Sequence, residues 1–140
     1  MFKQKLQFLM KEANISVTKL SKELNIAKSC ISGWKNGITL PKYDKAILLS
    51  QYFDCSLNFL FGNSDFEEKA KTHNIINFGK HLKSLLKDKK IKQEKFFDDL
   101  DLSSSNISYW SKDNTFPQME IIIKIANYLN VSIDYLVSLE

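Results

Sequence analysis

A run of identities separated by 76 positions ties one half of this chain to the other. Phe2, Leu6, Leu9 and Ile15 return as Phe78, Leu82, Leu85 and Ile91. Leu24, Ser29, Ile31, Ser32 and Trp34 return as Leu100, Ser105, Ile107, Ser108 and Trp110. Pro41, Ile47, Tyr52, Ser56 and Leu60 return as Pro117, Ile123, Tyr128, Ser132 and Leu136. The two copies align without a gap. This is a tandem duplication, so any fold read for one half must be read twice. The boundaries that follow are 1–65 for the first domain, 66–73 for a linker and 74–140 for the second. Each unit of about 60 residues is near the lower limit for an independent core.

Within a unit the periodicity is helical, and the expected fold is all-α with five helices per copy. Helix 1 is expected over residues 2–13, with Leu6, Leu9, Met10 and Ala13 on one face; its copy starts near residue 75. Val17, Leu20, Ser21 and Leu24 share a face of a second helix over 17–24, repeated at 93–100. Asn25 then tolerates the left-handed conformation of a sharp turn. Ala27, Ile31 and Trp34 share a face of a third helix over 28–36, repeated at 104–112, and Gly37 ends it. Pro41 and Pro117 are expected to open helix 4, where a missing N–H costs nothing. Ser56 and Ser132 read as N-caps of helix 5, with Asn58 and Asp134 in its first turn. Trp34, Phe53, Phe59 and Phe61, with Phe96, Trp110, Tyr128 and Tyr135 in the copy, read as core aromatics. Gly62-Asn63-Ser64-Asp65 is a turn-forming break; Phe66 to Lys71 reads as linker or an early helical turn.

The outward face of the third helix carries Lys28, Ser29, Ser32 and Lys35, cationic or hydrogen-bonding side chains without an acid among them. Spacing alone leaves two readings open, a solvated face of a small bundle or a face for the DNA major groove. Beyond spacing, the stretch Val17–Gly37 resembles the helix-turn-helix of the Xre or Cro-like family, also called lambda-repressor-like. The matching residues are Leu20, Ser21, Leu24, Ile26, Ile31, Ser32, Trp34 and Asn36-Gly37. Downstream, Pro41, Ile47, Leu49, Phe53, Ser56 and Leu60 fit that family's fourth and fifth helices.

The resemblance implies DNA binding by the third helix, with bases read from its first turns. Phosphates would be gripped by the start of helix 2 and the end of helix 3. In the first copy this designates Thr18, Ala27, Lys28, Ser29, Ser32, Gly33, Lys35 and Asn36. Val17 stands where the family often has Gln. In the second copy it designates Gln93, Ser104, Ser105, Ser108 and Tyr109. Phe97 replaces the small Ser21, and Asp98, Asp99 and Asp101 stand near a surface expected to face phosphate. The second copy is therefore expected to be the weaker DNA binder.

Charge divides the copies in the same sense. The chain of 140 residues has a formal net charge of +4, and all twenty of its cations are lysine. Residues 1–65 hold nine lysines against five acids; residues 72–140 hold nine against nine. The electrostatic footprint for DNA thus lies on the first copy, although arginine-to-guanine readout is absent. Lys87, Lys89, Lys90, Lys92 and Lys95 cluster at the helix 1–helix 2 corner of the second copy, either as a solvated patch or as a phosphate clamp.

The expected function is a sequence-specific DNA-binding transcriptional regulator, a repressor, with double-stranded DNA as its partner. The alternative is a protein-binding or inhibitory module in which the second copy mediates homodimerisation or partner docking. A linker of about ten residues has a root-mean-square reach of roughly 17 Å and stretches to about 33–36 Å. Half-sites on one face of DNA lie about 34–36 Å apart, so a pseudo-dimer is permitted. No cofactor, metal site or enzymatic activity is expected: His73 and His81 lack a ligand or nucleophile partner, and there is no glycine-rich phosphate loop. Cys30 and Cys55 read as reduced core or near-core thiols. Without an apolar run long enough for a bilayer or a signal peptide, no membrane partner is expected and the address is cytoplasmic.

Overall fold

A computed structural model describes residues 2–71, 77–112 and 115–137, and among them every regular element is a helix. The chain divides into two compact units, Met1–Lys71 and Thr72–Glu140. The first contains α1 (Phe2–Glu12), α2 (Val17–Leu24), α3 (Lys28–Lys35), α4 (Tyr43–Phe53) and α5 (Leu57–Leu60). The second contains α6 (Phe78–Asp88), α7 (Gln93–Asp99), α8 (Asn106–Trp110), α9 (Met119–Leu129) and α10 (Ile133–Val137).

In the first unit α1 packs on α3 and α5, and α2 lies directly against α3. Of the apolar stripes predicted from spacing, Leu6, Leu9, Leu20, Ile31 and Trp34 are buried, joined in the core by Ala46, Leu49, Leu57 and Leu60, whereas Val17 and Leu24 are half-buried and Ala27 is exposed. Phe2 stacks on Phe61 with ring centroids 4.9 Å apart, tying the start of α1 to the end of α5. The second unit repeats the plan with a more aromatic centre. Trp110 meets Phe78 edge-on at 5.6 Å and Phe97 at 6.2 Å, and Phe96 meets Phe97 at 5.1 Å.

Capping follows the local chemistry. Ser16, Ser56 and Asn77 each accept a backbone N–H three residues on, and Ser132 does the same for Tyr135. Gly37, at φ +76°, closes α3 with two bonds, Gly37 N–H to the Trp34 carbonyl and Ile38 N–H to that of Gly33. Left-handed Gly62 closes α5 in the same way. This is the double closure that spares the last helical carbonyls.

Several sequence expectations need correction. α1 stops at Glu12 because Asn14 turns left-handed, which leaves Ala13 exposed. α6 begins at Phe78; the expected start near residue 75 lies outside the described residues, as does His73. α7 ends at Asp99, before Leu100. α8 covers only Asn106–Trp110, not 104–112, because Ser103-Ser104-Ser105 spend their groups on local turns. Pro41 and Pro117 do not open their helices: each precedes an extended N-cap, Lys42 or Gln118. Tyr135 is 39% exposed, and Phe53 and Tyr128 are half-buried. Cys55 is buried, but Cys30 is exposed on α3. Phe66–Lys71 forms neither helix nor loose spacer over its whole length: the Ser56 N–H donates to the Glu68 carbonyl at 2.8 Å, and the Ala70 N–H to Asp54 Oδ1 at 3.2 Å.

Candidate nucleic-acid interface

The first unit presents α3 as a helix supported from behind and open in front. Ile31 and Trp34 are buried, while Lys28 and Ser29, in the first turn, are exposed and Ser32 is half-buried beside them. Ala27 is the exposed N-cap residue and Asn36 the exposed C-cap residue. Thr18 is exposed in the first turn of α2, and Val17 half-buried. The turn between the two helices is braced: left-handed Asn25 (φ 55°) returns its N–H to the Ser21 carbonyl, and the Ser21 hydroxyl donates to the Ile26 carbonyl.

Gly33 sits elsewhere. It is half-buried, a β-carbon there would lie 3.2 Å from Thr39 Oγ1, and its carbonyl receives the Ile38 N–H. Its geometry concerns the close of α3, not the open face. Lys35 is half-buried and lines a cleft that spacing along the sequence did not reveal. This cleft, about 400 Å³, is bounded by Gln7, Met10, Lys11, Asn14, Ile15, Ser16, Lys19 and Lys35. Three lysines and no acid line it, and the N-terminus of α2 opens there. Lysines and a helix N-terminus both favour an anion. Lys35 is far from Lys11 and Lys19 in the chain and joins them only because α1 and α2 both pack on α3. The Gln7 side-chain amide fixes that packing by donating to the Lys35 carbonyl at 2.8 Å.

The second unit presents a different surface. Gln93, Ser104, Ser105, Ser108 and Tyr109 are all exposed, but only Ser108 and Tyr109 lie on α8. Ser104 and Ser105 precede it in a tight turn with i to i+3 bonds, and the hydroxyls of Ser103 and Ser105 bond each other at 2.8 Å. Lys112 stands over the Tyr109 ring at 5.6 Å. Phe97 is buried, and α7 and α8 approach each other more sparsely than α2 and α3 do. The turn keeps its backbone closure, left-handed Asp101 with Leu102 N–H on the Phe97 carbonyl, but has no counterpart of the Ser21 hydroxyl brace.

Asp99 is engaged on α7. It accepts from the Tyr128 hydroxyl at 2.6 Å and pairs with Lys95 at 3.2 Å. The Tyr128 bond foremost, then Lys95, holds its carboxyl below the ordinary value. Among the described residues no cluster of His, Cys, Asp and Glu is arranged to hold a metal ion, and no helix is long and apolar enough to cross a membrane.

Comparison with known proteins matches both units. Residues 6–60 fit a family model described as helix-turn-helix, and residues 79–140 fit a second, described as helix-turn-helix domain. The uncharacterized HTH-type transcriptional regulator YobD of Bacillus subtilis is 28% identical over 79 residues, 56% of this chain and 70% of that protein. The HTH-type transcriptional activator BcrR of Enterococcus faecalis is 27% identical over 79 residues, 56% of this chain but only 39% of that protein. No solved structure matches the chain significantly. With ten helices among the described residues, in two repeated units each matched by a helix-turn-helix model, the chain belongs to the Xre/Cro-like helix-turn-helix family.

Proposed function

We propose that this chain is a sequence-specific DNA-binding regulator of transcription, a repressor, whose first unit inserts α3 into the major groove. The observation that carries this reading is the joined surface of that unit. Exposed Lys28 and Ser29, with half-buried Ser32 beside them, rest on buried Ile31 and Trp34, next to an acid-free cleft containing Lys11, Lys19 and Lys35. Lys28 stands in the first turn, where a side chain reaches base edges, and a lysine suits guanine O6 and N7. Lys35 stands at the far end, where a point charge suits a phosphate. The names of the two relatives support regulation of transcription, although one of them is named an activator.

Fluorescence anisotropy on duplexes selected from a random pool tests it. Lys28→Ala is expected to relax preference at one base position by about 1–3 kcal/mol, while Lys35→Ala weakens all sites alike and reduces the salt slope by about 1. If both variants bind like the wild type, the assignment fails.

A second reading gives the second unit a protein-docking role. Its support is the Tyr109 ring, 56% exposed on α8. Light scattering on the full chain, free and on DNA, tests self-association; a strict monomer at high concentration argues against it.

A further inference from the structure

We propose that the second unit is a sequence-neutral clamp on duplex phosphates, acting through the lysine corner between α6 and α7. The inference rests on the reading that the first unit enters DNA, and it assigns the second unit a separate task. Shifting the lining of the first unit's basic cleft by the repeat offset gives Lys83, Leu86, Lys87, Lys90, Ile91, Lys92, Lys95 and Ser111. Three lysines in the first copy become five in the second, although the second unit is neutral overall. Asp88 borders this corner, and on its α7 side Glu94, Asp98 and Asp99 line a groove with Lys92 and Lys95. Asp99 occupies Lys95. Lys83, Lys87, Lys90 and Lys92 are exposed and make no ion pair among the described residues.

Lys90 supplies an independent observation. Six residues other than glycine take positive φ among the described residues; five are Asn or Asp, and the sixth is Lys90 at 58°. Its counterpart in the first copy is Asn14, in the same conformation at 52°. A left-handed lysine is strained in a way that asparagine largely avoids. Nothing in the packing calls for lysine there, since the side chain is exposed. Strain kept at an exposed cationic position points to a ligand for that cation.

The base-reading side of this unit points the other way. α8 has five residues, its serine approach is consumed by local bonds, and Ser111 Oγ donates back to the Ile107 carbonyl at 2.6 Å. Lysines without a supported reading helix suit the backbone of a duplex, where attraction is strong and carries no sequence information.

The test uses the full chain carrying Lys87→Gln, Lys90→Gln and Lys92→Gln together. Its affinity is measured over a salt series on the enriched duplex and on a scrambled duplex of equal length. Expected is a loss of about tenfold or more on both duplexes, with their ratio preserved and the salt slope shallower by about 0.9 for each phosphate contact removed. The single variant Lys90→Asn guards against misfolding: it is expected to melt a few degrees higher than wild type while binding both duplexes more weakly. Unchanged affinity and slope in the triple variant, or a loss confined to the enriched duplex, overturns the clamp. A wild type that binds no duplex at low salt sinks the reading of the first unit and the clamp with it. A wild type that binds, responds to Lys28→Ala and is indifferent to the triple variant sinks the clamp alone.

Discussion

Gly37 and Gly79 each stand at a crowded point of their unit. Both lie where the first helix of a unit passes the end of the third, but they meet different neighbours there. In the first unit a β-carbon on Gly37, in the turn, would lie 2.9 Å from Lys3 Cδ. The repeat places Gly79 at the position of Lys3, and there a β-carbon would lie 2.6 Å from the Ser111 amide nitrogen and 2.8 Å from its Cα. A lysine stem can swing aside; a backbone cannot. Gly79→Ala is therefore expected to destabilise the chain by about 2 kcal/mol through overpacking, although alanine is the better helix former by nearly 1 kcal/mol. Urea unfolding measures this, and an unchanged midpoint would show that α6 can move away at no cost. The carbonyl of residue 35 or 111 tells a parallel story. Gln7 satisfies it from within α1 in the first unit and Asn77, the N-cap of α6, in the second, so one polar requirement is met from two different positions.

The elements differ in how they are tied, most clearly α7 from α2. α2 ends in a left-handed Asn25 and a hydroxyl brace. α7 ends under α9: Lys124 Nζ donates to the Leu100 carbonyl at 2.8 Å, and the Tyr128 hydroxyl to Asp99. Leu48, 36% exposed, stands in the first unit where Lys124 stands in the second. The carboxyl of Asp99 is held below its ordinary 3.8, and the hydroxyl of Tyr128 above its ordinary 10.0, each chiefly by the other. A depressed carboxylate contributes stability above its ordinary value, which is lost as pH falls through the lower folded value; a raised phenol contributes below its ordinary value and loses that as pH rises. Asp99→Asn is thus expected to lower the melting temperature at neutral pH and to converge with wild type as pH falls through the lowered folded value. Parallel melting curves across that range would show that the contact carries no linkage. The helices themselves were legible in the sequence, since Leu6/Leu9, Leu20/Leu24 and Ile31/Trp34 declare their faces by spacing. The length of α8 was not: Ile107 and Trp110 keep helical spacing whether or not the serines before them join, and hydroxyls competing for backbone groups kept them out. Nor was the basic cleft, because Lys11 and Lys35 become neighbours only through tertiary packing.

At the scale of the whole molecule, the duplication has produced two unequal copies. One has a supported, outward-facing third helix, a braced turn and the net positive charge; the other has a short third helix, a serine turn and most of its lysines at one corner. Two equivalent readers would select DNA with two informative half-sites, as paired helix-turn-helix units do. A reader joined to a clamp selects one informative block and needs adjoining duplex of any sequence, because phosphate contacts position a protein without specifying bases. The linked second contact still raises affinity, since the tether makes it intramolecular. Random-site selection with the intact chain is therefore expected to return a single conserved block. Trimming the featureless flank should then cost affinity and flatten the salt dependence, whereas scrambling it should change neither. Two blocks of similar information content would mean that Ser108 and Tyr109 read bases after all, and would return the second unit to the role its family membership first suggested.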